Sequence, residues 1–361
     1  MKIEIKNEKR KVKLKGFFFV VCSFSLFTSV QAQKWSTVGS GVKGSYKPLY
    51  VFNGKLYAGG MDSVGKKATH IACWDGKIWT APDSSFQGNI TAMTEYNGKL
   101  YAGTQVGPDD GKYTGYNLLC WNDTVWKYLA STNGRINALC VVKGTLYVGG
   151  SFTKADTLIA KHIVKYTDTA GWAKAGSIPN SVWALITFRD KVYAGGQFQS
   201  VVRWTGKYWE DVLGPGSQFA TGWVKCFVNY FDEIYACGEF DYLIKWDTKS
   251  WTPVGPFNGV TATMVVDSSG LFVGGDFTAA PNSDNVFHVV DYENYNRSWN
   301  CMGGVIYWSG DCTTYSGTVS SLALYKKEIY IGGKFTLAGN IVATNFAKYT
   351  LPPNSTLVEG K

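Results

Sequence analysis

Histidine is nearly absent from this chain, with three in 361 residues, and the shortage narrows the chemistry on offer. A metal or general-base centre built on imidazoles needs them within about 2 Å of one ion, or within hydrogen-bond reach of a nucleophile. The recognisable catalytic signatures are missing as well. There is no G-x-S-x-G elbow, no P-loop, no H-E-x-x-H helix and no S-x-D-x-G-x-x-W box. The acidic pair Asp109-Asp110 lies in a polar stretch, PDDGKYTG, that offers too few oxygen ligands for calcium. No catalytic residue, metal or cofactor is assigned on these grounds.

Long apolar runs are equally scarce. The one present is FFFVVCSFSLFTSV, 14 residues after a basic N-terminus, followed by Val30-Gln31-Ala32. It is short of the roughly 20 residues that a spanning helix needs and has the layout of a secretory signal peptide over residues 1–32. Cleavage would remove seven basic and two acidic residues from 36 and 27, leaving 29 and 25 and a net charge of +4 instead of +9. The basic excess belongs mostly to the leader, which weakens any case for a nucleic-acid partner. Export to the periplasm, cell surface or medium is the expectation, with no transmembrane segment in the mature chain.

What the chain does contain is one phrase said seven times: LYAGG at Leu56, LYAGT at Leu100, LYVGG at Leu146, VYAGG at Val192, IYACG at Ile234, LFVGG at Leu271 and IYIGG at Ile329. Successive starts are 44, 46, 46, 42, 37 and 58 residues apart. Each repeat reads as four short strands. An apolar first strand leads through a tight turn (Asn53-Gly54, Asn97-Gly98) into the phrase. The third strand ends in an aromatic, such as Trp74, Tyr166 or Trp246. The fourth opens on tryptophan: Trp79, Trp126, Trp172, Trp209, Trp251 or Trp299. A period near 45 residues built from strands predicts an all-β, seven-bladed β-propeller over residues 33–351, four antiparallel strands per blade. The seventh repeat ends at Tyr349 without its tryptophan, and Trp35 is the spare. The N-terminal strand around Trp35 is therefore expected to complete the last blade, a device that removes exposed edges. Residues 352–361, rich in proline and polar residues, are expected to be a disordered tail.

A hydrophobic run ending in Gly-Gly, then an aromatic, then a tryptophan five to seven residues on, resembles the kelch repeat. It is also similar to galactose-oxidase-type propellers and to bacterial surface repeats. The resemblance covers roughly residues 33–350 and implies the fold; the glycine pair is broken at Gly103-Thr104 and Cys237-Gly238. It does not carry a copper site over, because no His/Tyr cluster can be placed by motif. His70, His162 and His288 share one repeat position, four residues before the third-strand aromatic, where Asn117 and Asn345 stand in other repeats. A loop cap explains them.

Seven cysteines follow the leader. Cys226 and Cys237 replace the small pair seen at Ala138 and Gly149, and the hairpin register sets them opposite one another, which predicts a disulfide. Cys301 and Cys312 flank the long insertion and form a second candidate pair. Cys73 and Cys120 hold the same place in neighbouring repeats, too far apart to bond; with Cys140 they leave an odd thiol.

Repeats allow comparison within one chain, since positions that differ between blades are free of structural duty. The residue after the glycine pair reads Met61, Gln105, Ser151, Gln197, Glu239, Asp276 and Lys334. The candidate binding face is thus drawn around Glu239, Asp276 and Lys334. Tyr307 and Trp308 join it from the insertion GGVIYWSGDCTTYSG, read as a loop, and Phe219 and Trp223 from GPGSQFATGW. Aromatics beside a few polar groups suit a glycan or an extracellular protein. The expected function is a monomeric binding or scaffold module. A carbohydrate-active lyase, hydrolase or oxidase is the alternative if carboxylates or a His/Tyr cluster converge at the channel mouth. A purely structural surface protein is the third reading.

Overall fold

The computed structural model describes residues 34–39, 47–64, 67–82, 86, 88–106, 115–214, 222–240, 242–257, 259–267, 270–277, 289–293, 298–301, 305–308, 314–339 and 341–351. Side chains at 61–69, 255–256 and 289–316 lie outside that description. The first-strand hairpins set the pattern. Ile136–Val142 pairs with Thr145–Gly150 across a two-residue turn, Lys143-Gly144, whose φ values are 47° and 67°. The expected turns Asn53-Gly54 (46°, 69°) and Asn97-Gly98 (50°, 70°) have the same left-handed pair, as type I′ geometry requires. Arg189-Asp190 (45°, 61°) and Phe231-Asp232 (47°, 58°) adopt it without glycine.

Each hairpin continues outward into a meander. Val182–Phe188, Lys191–Gly196, Phe198–Trp204 and Trp209–Asp211 lie side by side in chain order. The repeats that start at Leu49, Ile136, Val224 and Val260 do the same. The sheet that starts at Asn89 is widened by a small hairpin, Lys154–Ala155 with Leu158–Ile159, through Ala155 opposite Thr132. Around the seventh phrase, Thr318–Tyr325, Glu328–Lys334 and Phe346–Thr350 are joined on the outside by Lys34–Ser36. The innermost strands touch in ring order, and Thr318–Tyr325 returns to Leu49–Phe52. This is the all-β architecture of a β-propeller.

The aromatic positions make one repeated pair on the outer strands. Tyr166 and Trp172 stand 5.2 Å apart between ring centroids, Trp204 and Trp209 5.3 Å, Trp246 and Trp251 5.4 Å. Trp35 and Tyr349 form the corresponding pair at 5.0 Å.

The glycine pair has two separate steric causes. A Cβ at the first glycine would meet the next blade's β-branched side chain: 2.5 Å from Val182 at Gly149, 2.7 Å from Ile136 at Gly103. The bare glycine is a socket for the neighbour. A Cβ at the second would overlap a backbone carbonyl of its own hairpin, that of Arg135 at Gly150 and of Ser181 at Gly196. The fifth repeat breaks the first rule and compensates: Cys237 replaces glycine, and the facing residue is the smaller Thr261 rather than Ile or Val. The Thr261 hydroxyl accepts from the Gly238 amide at 2.9 Å.

Two expectations need correction. Cys226 and Cys237 are directly opposite in register, yet they are free thiols rather than a disulfide. The sulfurs share a hydrogen bond, and Cys226 Sγ also reaches the Phe227 carbonyl at 3.6 Å. The rung is occupied by two small thiols, Cys237 buried beside Thr261 and Cys226 half-buried. Cys73, Cys120 and Cys140 are free as well. Cys301 ends the strand Ser298–Cys301, while Cys312 lies outside the described residues, so the second candidate pair does too. The insertion is also more than a loop. Val305–Trp308 pairs with Thr314–Ser316 on one side and with Leu337–Ala338 on the other, because VIYW is β-branched and aromatic, which favours extended pairing. Among the described residues no helix is long and apolar enough to cross a membrane.

Candidate functional site

Six of the innermost strands slip register by one residue near their start, between Ile90 and Ala92, Ile136 and Ala138, Val182 and Ala184, Val224 and Cys226, Thr261 and Thr263, and Val319 and Ser321. The skipped residue has no ladder partner, and a β-bulge of this kind re-aims its side chain. The skipped residues are Thr91, Asn137, Trp183, Lys225, Ala262 and Ser320. Lys47 holds the equivalent place in the first repeat, next to Pro48, whose carbonyl pairs with the Gly59 amide at 2.9 Å. Flanking side chains such as Ile136 and Val182 are fully buried, so each strand packs on both sides of a residue turned elsewhere.

All seven of these side chains line one cavity of about 530 Å³, joined by Arg135 and Ser151. Since the innermost strands ring the axis, the cavity is the mouth of the central channel, at the end where those strands begin. Hydroxyls and an amide furnish its wall. Thr91 donates to the Ile136 carbonyl, and Asn137 donates to the Val182 carbonyl at 3.1 Å and to Ser151 Oγ at 3.3 Å. Trp183 adds an indole, set edge-on to Trp223 with centroids 5.1 Å apart.

Among the described lining residues the charged groups are all cations. Lys47, Arg135 and Lys225 come from the first, third and fifth repeats and approach from different directions. Lys225 has a partner: its ammonium lies 2.8 Å from Glu239 and 5.9 Å from the Trp183 ring centre. No described carboxylate pairs with Lys47 or Arg135. Lys47 still meets solvent through the open mouth, but the protein around it and the Lys225 and Arg135 charges lower its pKa from the ordinary 10.5. Desolvation is the larger cause, and both effects disfavour the ammonium.

The expected site residues fall partly on this rim. Glu239 pairs with the bulge residue of its own blade, as Ser151 does with Asn137, so the position after the glycines is the row next to the bulge row. Trp223 packs on Trp183. Asp276 and Lys334 are exposed at the corresponding place in the sixth and seventh repeats. Tyr307 and Trp308 lie in the strand Val305–Trp308, Tyr307 opposite Tyr315, and their side chains are outside the description. Phe219 is outside the described residues. Sequence reasoning missed the bulge row itself. The available signal was the variety Lys, Thr, Asn, Trp, Lys, Ala, Ser at one repeat position between small or apolar neighbours.

Of the described histidines, His70 and His162, neither lines the mouth. His162 has φ 65° and donates its amide to the Phe152 carbonyl at 2.9 Å; Asn345, its equivalent, has φ 62° and bonds Phe335 in the same way at 2.8 Å. Both close the loop entering the third strand. His70 leaves a buried Nδ1 without a partner among the described residues, beside Phe86 at 5.8 Å, and burial lowers its pKa. His288 is outside the described residues.

Known structures agree with the architecture. The chain is similar to the WD40 β-propeller domain of Doa1, with a TM-score of 0.60 and 12% identity over 90% of this chain and 99% of that one. The RRP9 WD40 repeats give 0.54 and 13% over 88% and 99%. The computationally designed Ika8 protein gives 0.52 and 12% over 86% and 98%. The fold is a β-propeller. At such identities the likeness speaks for the fold alone. No family profile matches the chain, and no curated protein matches it.

Proposed function

We propose that this chain is an exported binding module: a seven-bladed, kelch-like propeller, closed by the strand around Trp35, that takes a glycan at its channel mouth. The bulge row carries the reading. Residues excused from the sheet ladder by a register slip are turned into one shared cavity, and most of them are polar. The volume falls in the range of small-molecule sites, roughly 300–1,000 Å³, and the wall of hydroxyl, amide and indole groups suits a hydrophilic ring. Support for seven blades lies in the seven phrases and in the ring contacts of the innermost strands. Support for closure lies in the pairing of Trp35 with Tyr349. Support for export lies in the basic and apolar leader. The lining of cations, hydroxyls and indole favours binding over the lyase, hydrolase or oxidase alternative, which asked for convergent carboxylates or a His/Tyr cluster.

A glycan array probed with residues 33–361 and with Trp183→Leu tests it. Binding that the variant loses supports a glycan site at the mouth. Binding that survives in Trp183→Leu but fails in Trp308→Ala moves the site to the insertion. No binding to any glycan sinks the glycan reading and leaves a protein partner or a structural role.

A further inference from the structure

Lys47, Arg135 and Lys225 present three cations to one cavity, and only Lys225 has a described carboxylate beside it. Uncompensated like charges in a concavity cost free energy in the empty protein, since low-dielectric walls strengthen their repulsion. Such an arrangement persists where an anion relieves it. The guanidinium of Arg135 offers two parallel N–H donors, the fork that fits a carboxylate. Lys47 and Lys225 supply point charges from two other directions. Between the cations stand Thr91, Asn137 and Ser320, which can exchange hydrogen bonds with ring hydroxyls, and the Trp183 indole, which offers an apolar edge.

We infer that the channel mouth is a uronate site: it holds the carboxylate of an acidic sugar against Arg135 and Lys47, with the sugar ring beside Trp183. This rests on the mouth being a glycan site and adds the charge of its ligand. Glu239 has a positioning part. It draws the Lys225 ammonium toward the rim, leaving Lys47 and Arg135 as the cations open to the ligand. The lowered pKa of Lys47 is consistent with a lysine awaiting a counter-charge.

The test compares a galacturonate disaccharide and its methyl ester, alike but for the charge, by calorimetric titration of residues 33–361. The expected result is at least tenfold tighter binding of the acid. Arg135→Gln and Lys47→Gln should each weaken the acid by about tenfold and the ester by clearly less, so that the preference for the acid shrinks. Both variants are expected to fold, because the two residues lie outside the packed core; Lys47→Gln should match or exceed the parent in thermal midpoint, having lost a repelled charge. If acid and ester bind equally and Trp183→Leu abolishes both, the glycan site stands and the uronate inference falls. If inorganic phosphate competes as strongly as the uronate, the site is for a bare oxyanion and the sugar part falls. If neither sugar binds and the array is blank, both readings fall.

Discussion

Trp35 stands edge-on to Tyr349 with ring centroids 5.0 Å apart and planes inclined at 65°, the spacing that other blades achieve within a single repeat. The pair joins the two ends of the described chain. Trp35 is 5% exposed and packs with Ile329, Ala338 and Tyr349; its indole also closes over Gly339.

Trp35→Ala is therefore expected to cost about 3–5 kcal/mol, the usual loss for a buried tryptophan. Thermal unfolding should show a midpoint lower by several degrees. Deleting residues 34–36 should cost more, because it also uncovers the edge of Phe346–Thr350. An unchanged midpoint in both variants would mean that the pairing contributes nothing to the ring.

The glycine socket gives a paired prediction. Gly149→Ala places a methyl 2.5 Å from Val182 and should destabilise by about 1–3 kcal/mol through overpacking. Adding Val182→Thr, which copies the Cys237 and Thr261 arrangement of the fifth repeat, should recover part of the loss. A double-mutant cycle on denaturant midpoints reads the coupling; strict additivity would refute the socket.

His70 predicts an acid sensitivity. Burial lowers its pKa from 6.5, so the unfolded chain binds the proton more readily than the folded one. Stability is whole above about pH 6.5 and falls as pH drops through the folded-state value. His70→Asn, the residue that the second repeat carries at this position as Asn117, should flatten stability against pH from about 7 to 5. Equal slopes for both proteins would show that His70 is not the titrating group.

The opposed cysteines make a chemical prediction. Alkylation of the unfolded, unreduced protein should label both Cys226 and Cys237, and peptide mass mapping should find no cross-link between them. In the folded protein Cys237 should react slowly, because it is fully buried with its thiol pKa raised, first by burial, and such a thiol carries little thiolate. Cys226, half-buried and with its pKa lowered first by the hydrogen bond with Cys237, should be labelled before it. A linked peptide from freshly purified protein would overturn the free-thiol state.

Much of the fold was legible because it is written in local rules repeated along the chain. Asn53-Gly54 announces its turn, and the spacing of Trp204 from Trp209 announces an outer hairpin. The unmatched Tyr349 announces a need for Trp35. The position of the site was legible only to within one row. Glu239 varies visibly between repeats, but its neighbour Lys225 acquires its direction from a one-residue slip between strands, which no local pattern records. The Val305–Trp308 strand was hidden for a similar reason. Its partner Leu337–Ala338 lies across a whole hairpin, and an insertion has no sister repeats to average over. Cys226 and Cys237 were paired correctly by register, while register alone says nothing about oxidation.

The slip between Ile136 and Ala138, repeated around the ring, separates two inheritances. Folding is encoded in glycines, β-branched residues and outer tryptophans that answer to one another across blades. The channel wall is encoded in residues that answer to none of them through the ladder. A lineage could exchange Lys47, Asn137 or Trp183 and acquire a new ligand while the sheets register no change. Such a chain is poised to diverge in recognition faster than in shape, and seven positions form the alphabet with which it would do so.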